Sequence, residues 1–126
     1  MFYNISTKMV KARKQYHCNY SGKIINIGDS YERQVNIYDG EIYTFRTCEK
    51  ALYLIKKLDM YGRGTDDDGF TDSDYDEMLD DYISNNNLTD EYANYLGGMT
   101  DFVYDCLKTK EEIKWKNYWY YSWRLS

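Results

Sequence analysis

A chain of 126 residues with 43% apolar and 18% aromatic side chains can bury one modest core, and it lies outside the low-hydrophobicity class of disordered proteins. No segment approaches the roughly 18 consecutive apolar residues that span a membrane, and the first residues lack the basic-then-apolar order of a secretory leader. Three cysteines, an odd number, make no disulfide framework, so the expected compartment is a reducing cytoplasm.

The net charge of −5 hides a segregation. Residues 1–57 carry ten Lys or Arg and five Asp or Glu, residues 58–107 carry one and fourteen, and residues 108–126 carry five and two. Blocks of this kind imply two contact faces, or attraction between them. One domain, 1–126, is expected, with a basic part (1–60), an acidic helical part (61–108) and an aromatic end (109–126).

In the basic part, Ile24-Ile25-Asn26-Ile27 runs into a Gly28-Asp29 turn. Ser30 to Tyr38 is mixed β-type sequence and Asp39-Gly40 a hairpin turn. Ile42, Thr44 and Arg46 then alternate with Tyr43, Phe45 and Thr47 along a return strand. After Cys48 the period changes, and Leu52, Ile55 and Leu58, widened by Ala51 and Leu54, predict a helix.

Tyr61-Gly62-Arg63-Gly64 breaks the chain, and Asp66-Asp67-Asp68-Gly69 reads as an exposed acidic loop. Thr71 is placed as an N-cap, Phe70 and Tyr75 as a hydrophobic staple, and Asp72 and Asp74 at the positive end of the helix dipole. Tyr75, Met78, Leu79, Tyr82 and Ile83 form an apolar face, while Asp76, Glu77, Asp80 and Asp81 cover the rest. Leu88 and Thr89 repeat the staple and cap. Tyr92, Leu96, Met99, Val103 and Cys106 mark another stripe, which Gly97-Gly98 kinks or splits. From Ile113 onward, Trp115, Trp119 and Trp123 alternate with Lys114, Tyr118 and Arg124, and period two predicts a C-terminal strand; Thr109 and Glu112 capping a final helix is the alternative. The fold class is α+β, a small antiparallel sheet with a C-terminal strand, packed with about three helices.

Cys18-Asn19-Tyr20-Ser21-Gly22-Lys23 resembles the C-x-x-C-G-K knuckle of zinc ribbons and treble clefs, and Cys48-Glu49-Lys50-Ala51 resembles the matching C-x-x-C at a helix start. Ser21 and Ala51 stand where the second ligands belong. Structural zinc takes four Cys or His ligands, so loss of the metal is the preferred reading and no cofactor is expected. If any metal is held, the set is His17, Cys18, Cys48 and Cys106. His17 is the only histidine, and nothing marks a nucleophile turn or an orienting acid, so no enzyme is expected. No register from Asp66 to Asp81 gives both the Gly and the Glu of a calcium loop, and phosphate-loop fingerprints are absent.

From Lys11 to Tyr82 the order of features is similar to that of a group of small phage and mobile-element proteins. It comprises Lys11-Ala12-Arg13-Lys14, the Cys18 knuckle, Gly28-Asp29-Ser30-Tyr31, Asp39-Gly40-Glu41, Tyr43-Thr44-Phe45-Arg46, Cys48, and Asp67-Asp68-Gly69-Phe70-Thr71-Asp72. Small, acidic, Tyr-rich phage proteins of this kind resemble anti-CRISPR inhibitors. The resemblance implies a degenerate zinc-ribbon-like half and a bacterial host cytoplasm. It also implies a host defence partner such as a Cas9-type effector, with or without its guide RNA, whose DNA site the protein occupies as a monomer or dimer. The contact residues would be Asp66, Asp67, Asp68, Asp72, Asp74, Asp76, Glu77, Asp80, Asp81 and Tyr82. The alternative is a ribbon-derived nucleic-acid binder or regulatory protein acting through its basic N-terminal segment and tail.

Overall fold

The computed structural model describes the backbone of residues 2–63 and 70–125, and the side chains of residues 3–61 and 70–113. The strands are β1 (Phe2–Lys11), β2 (Tyr16–His17), β3 (Ile24–Ile25), β4 (Ser30–Tyr38) and β5 (Glu41–Cys48). Three longer helices follow, α1 (Glu49–Lys57), α3 (Asp72–Asn85) and α5 (Met99–Leu125), with the short α2 (Met60–Arg63) and α4 (Thr89–Ala93) between them. The architecture is α+β.

Asp39 and Gly40 both take positive φ, 51° and 82°, the backbone that matches a two-residue turn to the twist of its strands. That turn sets the β4–β5 register, Tyr38 opposite Glu41 through Tyr31 opposite Cys48. β1 adds antiparallel to the other side of β4, with a register shift between Asn4 and Ser6, giving the order β1-β4-β5. β2 and β3 form a separate two-stranded ribbon. β1, at ten residues, is longer than any strand expected at the N-terminus.

α1 buries Ala51, Leu52, Leu54 and Ile55, as its period requires. Tyr61-Gly62-Arg63, expected as part of a break, instead lie within one helical turn, α2, whose Met60 is fully buried. α3 begins with a complete capping box: the Thr71 hydroxyl accepts from the Asp74 amide at 3.2 Å, and the Thr71 amide donates back to the Asp74 carboxylate at 3.1 Å. Both staple residues lean on one ring, Tyr20, with centroids 5.1 Å from Phe70 and 5.6 Å from Tyr75. Thr71→Ala removes an acceptor from an otherwise orphaned amide, so we expect a loss of about 1 kcal/mol in urea unfolding.

Two expectations in the acidic and aromatic parts are corrected. Leu88, not Thr89, caps α4, without a side-chain bond. The C-terminal strand is replaced by helix: α5 runs unbroken from Met99 through Thr109 and Glu112 to Leu125. Alternation includes positions four apart, so Trp115, Trp119 and Trp123 suit either period. A helix satisfies its backbone groups internally, whereas a strand depends on pairing with a segment distant in sequence. Gly97-Gly98 does split the stripe, separating α4 from α5.

One buried cluster joins the basic and acidic parts. It includes Ala12, Cys18, Tyr20, Ile25, Tyr31, Leu54, Ile55, Tyr75, Leu79, Ile83 and Val103. No described helix is long and apolar enough to cross a membrane.

Candidate functional site

The two half-motifs of the sequence meet. After β2 the chain turns back on itself: the Gly22 amide donates to the Cys18 carbonyl at 2.9 Å and the Cys18 amide to the Lys23 carbonyl at 2.8 Å, with Gly22 at φ 72°. This turn aims the Ser21 amide at Cys18 Sγ, 3.4 Å away. At the start of α1 the Ala51 amide makes the equivalent bond to the Cys48 sulfur. Each cysteine therefore accepts from the amide three residues on, so the two knuckles share one geometry.

The knuckles are also cross-linked by hydrogen bonds. The Cys48 amide donates to Cys18 Sγ at 3.3 Å, and Ser21 Oγ lies 3.5 Å from Cys48 Sγ. The Cys48 side chain beside it, with the Ser21 and Cys48 amides, holds the Cys18 thiol well below its ordinary range although burial opposes this. The Cys18 side chain, with burial, pushes the Cys48 thiol upward. The donor set does not fit zinc: two thiols converge, Ser21 offers a neutral hydroxyl, and Ala51 offers nothing at the fourth corner.

His17 and Cys106 do not complete the set. His17 is exposed, with Nδ1 3.4 Å from the Gly22 carbonyl oxygen. Cys106 lies on α5 in a cleft with Tyr95 and Phe102. Among the described residues no three His, Cys, Asp or Glu side chains converge in a way that could hold a metal ion.

The acidic helix presents a different surface. α3 turns Tyr75, Leu79 and Ile83 into the core, which leaves Asp72, Asp76, Glu77, Asp80 and Asp81 exposed. Asp74 is spent on the capping box and Asp72 accepts from the Ser73 amide. Among the described residues, the carboxylates found in ion pairs belong to α5. Asp101 binds Lys23 and Lys50, and Glu111 binds Lys57 at 2.8 Å and Lys108 at 3.7 Å. Asp76, Glu77, Asp80 and Asp81 are in no ion pair among the described residues. Burial and the Asp72 charge one turn away push the Asp76 carboxyl up. Tyr82 is half-buried, and its hydroxyl accepts from Lys110 Nζ at 3.4 Å. Asp66, Asp67 and Asp68 lie outside the described residues.

One feature escaped the sequence reading. Lys8, Arg33 and Arg46 stand directly opposite one another across β1, β4 and β5. The signal for half of it was available, because a two-residue turn at Asp39-Gly40 brings Arg33 opposite Arg46 by counting back along both arms.

No family model, curated protein or solved structure matches this chain.

Proposed function

We propose that the protein is a non-enzymatic inhibitor of phage or mobile-element type, which docks α3 into a basic, nucleic-acid-binding groove of a host defence effector such as a Cas9-type nuclease. The observation that carries this reading is the outward row of carboxylates on α3 without internal cations. Asp72, Asp76 and Asp80 follow one another at four-residue steps, about 6 Å apart along the axis, a spacing similar to that of successive phosphates. Like charges at this spacing cost an isolated helix a few tenths of a kcal/mol per pair. No cation among the described residues pairs with this row, and a basic groove would supply one. The capping box and the buried Tyr75–Leu79–Ile83 face hold the row in a fixed orientation, which lowers the ordering cost of docking.

The test is DNA cleavage by a guide-loaded Cas9-type nuclease with wild-type protein and with an Asp76→Lys, Asp80→Lys, Asp81→Lys variant. All three residues are exposed, so the variant keeps its fold by circular dichroism. Wild-type inhibition should weaken as salt rises and fall at least about a hundredfold in the variant, the scale of losing three charge contacts in one interface. Equal inhibition by the variant rejects the acidic surface, and no inhibition by wild type rejects the effector.

A further inference from the structure

The face of the sheet that carries Lys8, Arg33 and Arg46 is a second charged surface, and it is built independently of α3. Residues directly opposite in an antiparallel pair share a face, with Cβ atoms about 4.5–5.5 Å apart. Three cations in one such row repel each other, and a single Glu in the middle would relieve them. Instead this face of the three strands has no carboxylate. Its neighbouring rows are Val10, Tyr31 and Cys48 on one side and Ser6, Val35 and Thr44 on the other. None of the three cations is in an ion pair among the described residues. Arg46 lies 3.9 Å from the Tyr16 ring centroid, and its Nε is buried without a hydrogen-bond partner.

The charge continues beside the row. Arg13 and Lys14 are exposed in the loop between β1 and β2, and a groove of about 550 Å³ between this loop and the sheet is lined by Lys11, Arg13, Tyr16 and Arg33 among others. The protein's own acids cannot neutralise it easily. Phe45, adjacent to Arg46 on β5, points to the opposite face, packs 4.7 Å from Tyr20, and through that ring meets Tyr75 of α3. The sheet thus stands between the basic row and the acidic helix.

We infer that this face binds the phosphate backbone of single-stranded nucleic acid. The row alone covers two interstrand spacings, about 9–10 Å, more than one phosphate occupies, and Arg13 and Lys14 lengthen it. A chain of phosphates matches that span; an isolated anion does not. Further along the same face, Tyr3, Ile37 and Ile42 form an apolar row, with Tyr3 55% and Ile42 68% exposed. Unpaired bases have apolar faces to lay on such a row, and paired bases do not. An open sheet face also lacks the protruding helix that enters a duplex groove.

Fluorescence anisotropy with the whole chain tests this, using a labelled strand of about 20 nucleotides, single or annealed, in salt from roughly 50 to 300 mM. Single strands should bind more tightly than duplex, and log affinity should fall with log salt at a slope near −2 to −3, about −0.7 per phosphate contact. Lys8→Gln with Arg33→Gln should weaken binding more than tenfold and reduce the slope by about 1.4. Because it relieves repulsion, that variant should unfold no more easily than wild type. Arg13→Gln with Lys14→Gln, which touches only the loop, should weaken binding without any fold penalty, and the α3 reversal used against the nuclease should not weaken it. No binding at low salt, equal affinity for duplex, or full affinity in both Gln variants overturns the inference. So does a salt-sensitive dimer, seen by sedimentation and abolished by the Lys8/Arg33 variant, since that outcome assigns the face to the acidic helix of a second copy.

Discussion

A Ser21→Cys, Ala51→Cys variant is expected to bind one zinc ion per chain, where the wild-type donor set does not suit the metal. The expectation follows from the knuckle geometry. Zinc knuckles place the second thiolate three residues after the first and use the intervening amides to bond the sulfurs, and here the amides of Ser21 and Ala51 already do so. The Cys18 and Cys48 sulfurs are within hydrogen-bonding reach of each other. Tetrahedral zinc with ligands at about 2.3 Å needs a sulfur–sulfur edge of about 3.8 Å, and Ser21 Oγ, which a cysteine sulfur would replace, already lies 3.5 Å from Cys48 Sγ.

The sign of the stability change depends on the metal. Ala51 is fully buried, so without zinc the added sulfur overpacks the start of α1 and costs about 1–3 kcal/mol. With zinc the apparent gain at structural sites, on the order of 10 kcal/mol in small peptides, outweighs that cost. Thermal unfolding should therefore fall below wild type in chelator and rise above it, by more than about 10 °C, with zinc. Metal analysis gives the stoichiometry directly, and a double variant that takes up no zinc would show that the two half-knuckles are not the remnant they resemble. Cys18→Ala is the complementary change. It strands the Ser21 and Cys48 amides that now donate to Sγ, each costing about 1–3 kcal/mol where water cannot reach.

Legibility from sequence tracked how local the cause was. The Asp39-Gly40 hairpin, the α1 stripe, the Thr71 cap and the split at Gly97-Gly98 each depend on a few neighbouring residues, and each is present. The C-terminal segment was misread because its spacing satisfies both periods, and whether a segment pairs with a sheet is not a local property. β1 was missed for a related reason: it is held by pairing with β4 more than by its own pattern. The convergence of Cys18 with Cys48 was legible because two motifs of known mutual geometry were both partly preserved. The Lys8–Arg33–Arg46 row was legible only between the arms of the hairpin; Lys8 joins through the register of β1, which includes a shift between Asn4 and Ser6. The acidic face of α3 was read from its period alone, but its lack of internal cations needed the positions of Lys23, Lys50, Lys57 and Lys108, all of which turn to α5 carboxylates instead.

Tyr75→Ala is expected to remove a large part of the stability of the fold, and with it the firm seating of the acidic surface that α3 presents. Tyr75 is fully buried, stacks on Tyr20 at 5.6 Å, and its hydroxyl meets Thr100 Oγ1 at 2.7 Å, which ties α3 to the first turn of α5. Large-to-small changes of a buried aromatic cost about 3–5 kcal/mol, against a total of about 5–15 kcal/mol for a domain. Tyr75→Phe keeps the ring and loses only the bond to Thr100, about 1 kcal/mol plus the penalty of leaving that buried hydroxyl unpaired. Urea unfolding should rank the variants wild type, Phe, Ala, while the Asp76, Asp80, Asp81 reversal stays close to wild type because those residues touch solvent. Burial also raises the phenols of Tyr75 and Tyr20 above their ordinary value of 10.0. Their contribution is therefore complete below pH 10 and declines above it, by about 1.4 kcal/mol per pH unit for each phenol that stays neutral in the fold while ionising in the unfolded chain. Stability that stayed flat from pH 9 to 11 would mean that these two rings are not sealed from water, and α3 would then lack the fixed seat on which its outward charges depend.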